Sequence, residues 1–66
     1  MTIRVNGEPR EIVGPLSISA LLAELDIDPR RVAVEHNLAI VKRARYESTI
    51  IQAGDSIEIV NFVGGG

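Results

Sequence analysis

The residues with the clearest chemical potential stand together in one run: Val63-Gly64-Gly65-Gly66. Glycine lacks a Cβ, so such a run takes nearly any backbone path and passes through a narrow channel. Ordering it has an entropic cost. Gly66 carries an α-carboxylate whose ordinary pKa is about 3.5. At neutral pH that group is ionised and a poor electrophile. A partner that uses ATP converts it into an acyl adenylate, and a sulfur nucleophile can then displace AMP. No side chain at Gly65 or Gly66 crowds the reacting carbonyl. The expectation is a carboxylate on Gly66 at the end of a flexible arm, with the catalysis supplied by the partner. The plain alternative is an inert glycine tail.

Other chemistry is poorly provided for. The chain has no cysteine, which removes disulfides, thiolate metal sites and a cysteine nucleophile. His36 is the single histidine, so a multi-histidine zinc site is excluded and no metal is expected. No nucleophile accompanies His36 in the sequence, and it reads as a strand-end surface residue. Asp55 after Gly54 closes a turn. Arg30-Arg31 and Lys42-Arg43-Arg45 read as solvated loop charge, with contact to an acidic partner or a phosphate as the alternative. The net charge of −2 argues against a nucleic-acid partner. Tyr46 and Phe62 are the only aromatic residues, too few for base stacking. No apolar run is long enough for a membrane span or a secretory signal, so no membrane partner is expected and the cytoplasm is the default location. The 66 residues allow one small domain with little room for a catalytic pocket, and no cofactor is expected to be bound.

These 66 residues must also build the elements that position the glycine arm. Ile3 and Val5 alternate with Thr2 and Arg4, the period of a half-buried strand. Asn6-Gly7 favours a type I′ hairpin turn into a second strand, Glu8 to Val13. Pro9 puts that strand on an edge or marks its start. Ser17 reads as a helix N-cap. Ile18, Leu21, Leu22 and Leu25 then form one apolar helical stripe. The helix is expected to end within Asp26 to Pro29, because Pro29 disfavours helical geometry at Asp28. Val32 and Val34 alternate in a third strand. Asn37 begins a turn and Ile40-Val41 a brief strand. Thr49 to Ile51 forms a short extended piece, and Ser56 to Phe62 the last strand.

One helix can cover one sheet face. The expected fold class is therefore α+β, a ubiquitin-like β-grasp with a mixed sheet of four to five strands packed on one main helix. The domain would span residues 1–63, followed by the glycine tail 64–66. The expected core is Ile3, Val5, Ile12, Leu16, Ile18, Leu21, Leu22, Leu25, Val32, Val34, Ile50, Ile57 and Ile59, with Tyr46 packed against the body. Alternation along the last strand puts Val60 and Phe62 on the open face. With Val63 they form a candidate docking patch beside the tail. A bulge that turns Phe62 inward is the alternative.

The sequence resembles the thiamine-biosynthesis sulfur carrier family along its whole length. The resemblance is carried by Val5-Asn6-Gly7-Glu8, Leu21-Leu22-Ala23-Glu24-Leu25, Val32-Ala33-Val34-Glu35, Gly54-Asp55, and the run from Ile57 to Gly66. It implies adenylation of Gly66 by an E1-like adenylyltransferase and conversion to a thiocarboxylate by a sulfur-donor protein, with Gly64 and Gly65 as the insertion arm. Sulfur would then pass to thiazole synthase for the thiazole ring of thiamine. The chain would be a cosubstrate and not an enzyme. A molybdopterin-type sulfur carrier, a ubiquitin-like modifier of lysines and an inert β-grasp module are the other readings. Leu38-Ala39-Ile40-Val41-Lys42 departs from the family, which shows a more polar turn and a proline after Ile-Val.

Overall fold

A computed structural model describes residues 1–62. Strand β1 (Thr2–Val5) turns at Asn6-Gly7 into β2 (Glu8–Glu11). Both turn residues have positive φ, 51° and 82°, as a type I′ turn requires. The strand β2 stops at Glu11 rather than Val13. Ile12 still pairs with Met1 by two backbone hydrogen bonds of 2.7 and 2.8 Å, while Val13 is fully exposed.

A short β3 (Leu16–Ser17) leads into α1 (Ile18–Glu24). The Ser17 hydroxyl accepts from the Ala20 N–H at 3.0 Å, the expected cap. The helix stops at the expected segment, after its Leu25 C-cap, but for another reason. Asp26 adopts φ 59°, its N–H donates to the Ala23 carbonyl at 3.1 Å, and the Ile27 N–H donates to Leu22 at 2.9 Å. That is a Schellman motif, with aspartate where glycine is usual. Pro29 acts downstream, opening a 3₁₀ turn (Pro29–Arg31) capped by Asp28.

Strand β4 (Val32–His36) and β5 (Ala39–Val41) form a second hairpin. Its turn, Asn37-Leu38, has φ 51° and 73°. A leucine thus occupies the left-handed position that Gly7 fills in the first hairpin. A second 3₁₀ turn (Arg43–Arg45) leads to Tyr46, then β6 (Ile50–Ile51) and β7 (Ser56–Asn61).

The main sheet has the order β2-β1-β7-β4-β5. Strand β7 is central, parallel to β1 and antiparallel to β4. The edge position of β2 explains its tolerance of Pro9. A second, two-stranded sheet joins β3 to β6. Its loop supplies carbonyls to the start of the helix: Ile18 N–H donates to Thr49 and Ser19 N–H to Tyr46, each at 3.0 Å. These bonds satisfy donors that every helix N-terminus leaves open.

Among the described residues, eleven buried side chains form the core: Ile3, Ile12, Ile18, Leu21, Leu22, Val32, Val34, Tyr46, Ile51, Ile57 and Ile59. Val5, Leu16 and Leu25 pack against it only partly buried. One expected core residue is exchanged. Ile51 is fully buried and Ile50 is exposed, because the β3–β6 register pairs Ile51 with Leu16 and Ile50 with Ser17. Adjacent residues of a strand face opposite sides, and two neighbouring isoleucines carry no alternation to say which side is inner. One helix on a mixed five-stranded sheet, with its first and last strands adjacent and parallel, is the β-grasp arrangement.

Candidate functional site

Strand β7 is the element that aims at the glycine run. It is held on both flanks, and its inner residues Ile57 and Ile59 lie beneath the helix layer. Its outer residues Val60 and Phe62 are 59% and 57% exposed. Inner and outer residues alternate from Ile57 to Val60, after which Asn61 and Phe62 are both exposed. The strand itself closes at Asn61, one residue short of the expected boundary. Phe62 is still fixed, its N–H donating to the Arg31 carbonyl at 2.9 Å. Val63, Gly64, Gly65 and Gly66 lie outside the described residues.

A shallow pocket of about 280 Å³ opens beside Phe62. Pro29, Val41, Tyr46 and Phe62 contribute apolar wall, and Arg30 and Arg43 contribute charge. Tyr46 is 3% exposed; burial pushes its hydroxyl pKa up, against the field of Arg43. Asp28 organises one side of this end. Its carboxylate accepts from Arg30 Nε at 3.2 Å, Arg30 Nη2 at 3.0 Å and the Arg30 backbone N–H at 2.9 Å. Those bonds, the side-chain ones first, hold the Asp28 pKa down at about 2. The two basic runs were expected to be solvated loop charge. The structure brings one residue of each to the same pocket. Nothing in the linear sequence marked that meeting except their positions next to two strands that could pair.

His36 lies at the opposite end of β7 from Phe62. Its ring Nε2–H donates to Asp55 Oδ2 at 2.7 Å. Asn37 Nδ2 and the Gln52 N–H also donate to the Asp55 carboxylate, at 3.2 and 2.9 Å. Burial pushes the Asp55 pKa up, and the donated hydrogen bonds outweigh it, so the carboxyl sits below its usual range. Asp55 closes its turn as expected, and it also locks the β4–β5 turn to the loop before β7. No nucleophile joins this cluster, whose chemistry is structural. Among the described residues no group of three or more histidine, aspartate or glutamate side chains is placed to hold a metal. No helix there is long and apolar enough to cross a membrane.

The ThiS family model matches residues 3–66. The sulfur carrier protein ThiS of Bacillus subtilis is 42% identical over 50 residues, covering 76% of each chain. A thiazole synthase of Paramagnetospirillum magneticum is 46% identical over all 66 residues, and one from Magnetococcus marinus 42%. This chain spans about a fifth of the length of those two synthases (20% in each case). The crystal structure of the thiamine biosynthesis protein ThiS of Geobacter metallireducens superposes over the full length of both chains with a TM-score of 0.88 at 33% identity. The match of residues 3–66 to the family model, together with the shared β-grasp fold, places this chain in the ThiS family.

Proposed function

We propose that this chain carries sulfur as a thiocarboxylate on Gly66, with Gly64 and Gly65 as the arm inserted into its partners. An E1-like adenylyltransferase uses ATP to join AMP to the Gly66 carboxylate, releasing pyrophosphate. A sulfur-donor protein supplies the nucleophile that displaces AMP and leaves sulfur on the glycine carbonyl. Thiazole synthase then takes that sulfur for the thiazole ring of thiamine. Val60, Phe62 and Val63 dock on the activating partner. The chain is a cosubstrate that binds no cofactor of its own; the activating partner uses the ATP, and the work is done in the cytoplasm.

One observation carries this reading: the central strand carries exposed Val60 and leads through exposed Phe62 toward a glycine run, in a chain whose match to the family extends through residue 66. Exposed aromatic residues with polar surroundings commonly anchor protein interfaces. The two thiazole synthases that contain a similar 66-residue stretch support thiazole synthase as the acceptor.

The test is the intact mass of the chain after incubation with ATP, a sulfur donor and the cognate adenylating enzyme. Exchange of one oxygen for sulfur is the expected result. A ladder of larger covalent species would make the chain a lysine modifier, and an unchanged mass would leave it an inert module.

A further inference from the structure

Five of the seven cations in the sequence fall in two short runs, Arg30-Arg31 and Lys42-Arg43-Arg45. The topology brings these runs to one end of the sheet. The first run immediately precedes β4 and the second follows β5, the antiparallel partner of β4. Because β7 is also antiparallel to β4, its last residues arrive at the same end. Arg30 and Arg43 accordingly line the pocket with Phe62, and the Phe62 N–H is bonded to the Arg31 carbonyl.

The charge at this end is strongly unbalanced. Residues 28–31 and 42–47 hold five cations and two acids, Asp28 and Glu47; the rest of the chain holds two cations and seven acids. Asp28 pairs with Arg30 at 3.0 Å and reaches Arg31 at 3.8 Å. Lys42, Arg43 and Arg45 are exposed and have no ion-pair partner among the described residues. A net-acidic molecule thus presents a local cationic collar where its last strand ends.

Distance decides what the collar meets. Gly66 is four residues beyond Phe62, and an extended residue spans about 3.3–3.6 Å. A fully extended arm would carry the reacting carboxylate about 13–14 Å past Phe62. The collar therefore faces the mouth of the cleft that receives the arm, and not the nucleotide inside it. We propose that Lys42, Arg43 and Arg45 dock on an acidic rim around that cleft, with a partner carboxylate seated between Arg30 and Arg43 and its aliphatic stem on Val41, Tyr46 and Phe62. This rests on the carrier reading and adds to it the chemistry of the surface that recognises the chain. Charges of this kind steer association and fix register, and their effect falls with salt.

The experiment is calorimetric binding of the chain to the cognate adenylating enzyme, without ATP, at low and high salt. Wild-type affinity is expected to fall as salt rises. Lys42→Glu with Arg43→Glu is expected to weaken binding about tenfold or more and to flatten the salt dependence, in line with reversal of interfacial charge. Lys42→Glu with Arg45→Glu repeats the reversal while sparing Arg43, the pocket residue whose charge acts on buried Tyr46, and should keep the wild-type melting temperature. Arg43→Lys, which keeps the charge, should bind like wild type. Unchanged affinity and salt dependence in both reversal variants would overturn the collar, as would a wild-type chain that does not bind the enzyme. Binding of a poly(U) oligonucleotide as tight as binding of the enzyme would overturn it too, by showing a general polyanion site. Collar-dependent docking without any gain of sulfur mass refutes the carrier reading alone. Sulfur gain with charge-independent docking refutes the collar alone.

Discussion

The side chain of Asn6 and the backbone of Ile59 exchange a pair of hydrogen bonds. The Ile59 N–H donates to Asn6 Oδ1 at 2.7 Å, and Asn6 Nδ2 donates to the Ile59 carbonyl at 3.2 Å. The parallel β1–β7 ladder registers Val5 against Ile57, and the Asn6 N–H bonds to the Ile57 carbonyl at 2.8 Å. The Asn6 amide then extends the pairing past the point where the β1 backbone turns away. It holds the half of β7 that leads to Val60 and Phe62.

Asn6→Gly separates this role from the turn. Glycine keeps the positive φ without strain, while both bonds to Ile59 are lost. The expected loss is about 1–3 kcal/mol, the cost of leaving backbone groups unpartnered. Urea unfolding measures it. An unchanged midpoint would show that Asn6 matters only as a turn residue.

The two hairpin turns offer an internal comparison. Leu38 holds φ 73° where the first turn has Gly7 at 82°. A side chain in that region costs about 1–2 kcal/mol, and Leu38 is 87% exposed, so its removal sacrifices little packing. Leu38→Gly is expected to raise stability by about 0.5–1 kcal/mol, somewhat less than the strain because glycine loses more entropy on folding. A lower melting temperature would mean that Leu38 makes contacts worth more than its strain.

Acid should weaken the His36–Asp55 lock. The folded pKa of Asp55 lies below its unfolded value, so the unfolded state binds more protons in the interval between them. The stabilisation is present above an unfolded pKa of about 3.9 and is lost as pH falls through the folded value. Asp55→Asn is expected to melt earlier than wild type at pH 7, with the gap closing as the pH falls below about 4. A gap that stays constant down to acid pH would remove Asp55 ionisation from the account.

Phe62→Ala addresses docking. The side chain is exposed, so melting should shift little, within about 0.5 kcal/mol. Affinity for the adenylating enzyme should fall by about 2 kcal/mol or more if Phe62 anchors the interface. Severe unfolding with intact affinity would assign Phe62 to the core.

Removing Gly66 addresses the chemical terminus. The shortened chain still ends in a glycine carboxylate, displaced by about 3.3–3.6 Å. A shift of about 1 Å at a reacting centre can cost on the order of 100-fold in rate. The melting temperature should stay that of wild type, because terminal residues make few contacts, and pyrophosphate exchange should collapse. Wild-type exchange by the shortened chain would move the reacting carboxylate away from Gly66.

Periodicity and turn chemistry are local, and the sequence determined what depends on them. The apolar stripe Ile18, Leu21 and Leu22, the Ser17 cap, the Asn6-Gly7 turn and the exposure of Val60 and Phe62 were all legible, because each follows from a side-chain spacing or a backbone preference within a few residues. Tertiary structure decided what depends on pairing across the chain. Ile51 is inside and Ile50 outside because of their register with Leu16 and Ser17. Asp26, with φ 59° and backbone bonds back to Ala23 and Leu22, closes the helix before Pro29 can act on it. His36 meets Asp55 across a separation of 19 residues. Arg30 and Arg43, distant in sequence, share a pocket only because antiparallel pairing puts the start of β4, the end of β5 and the end of β7 at one edge of the molecule.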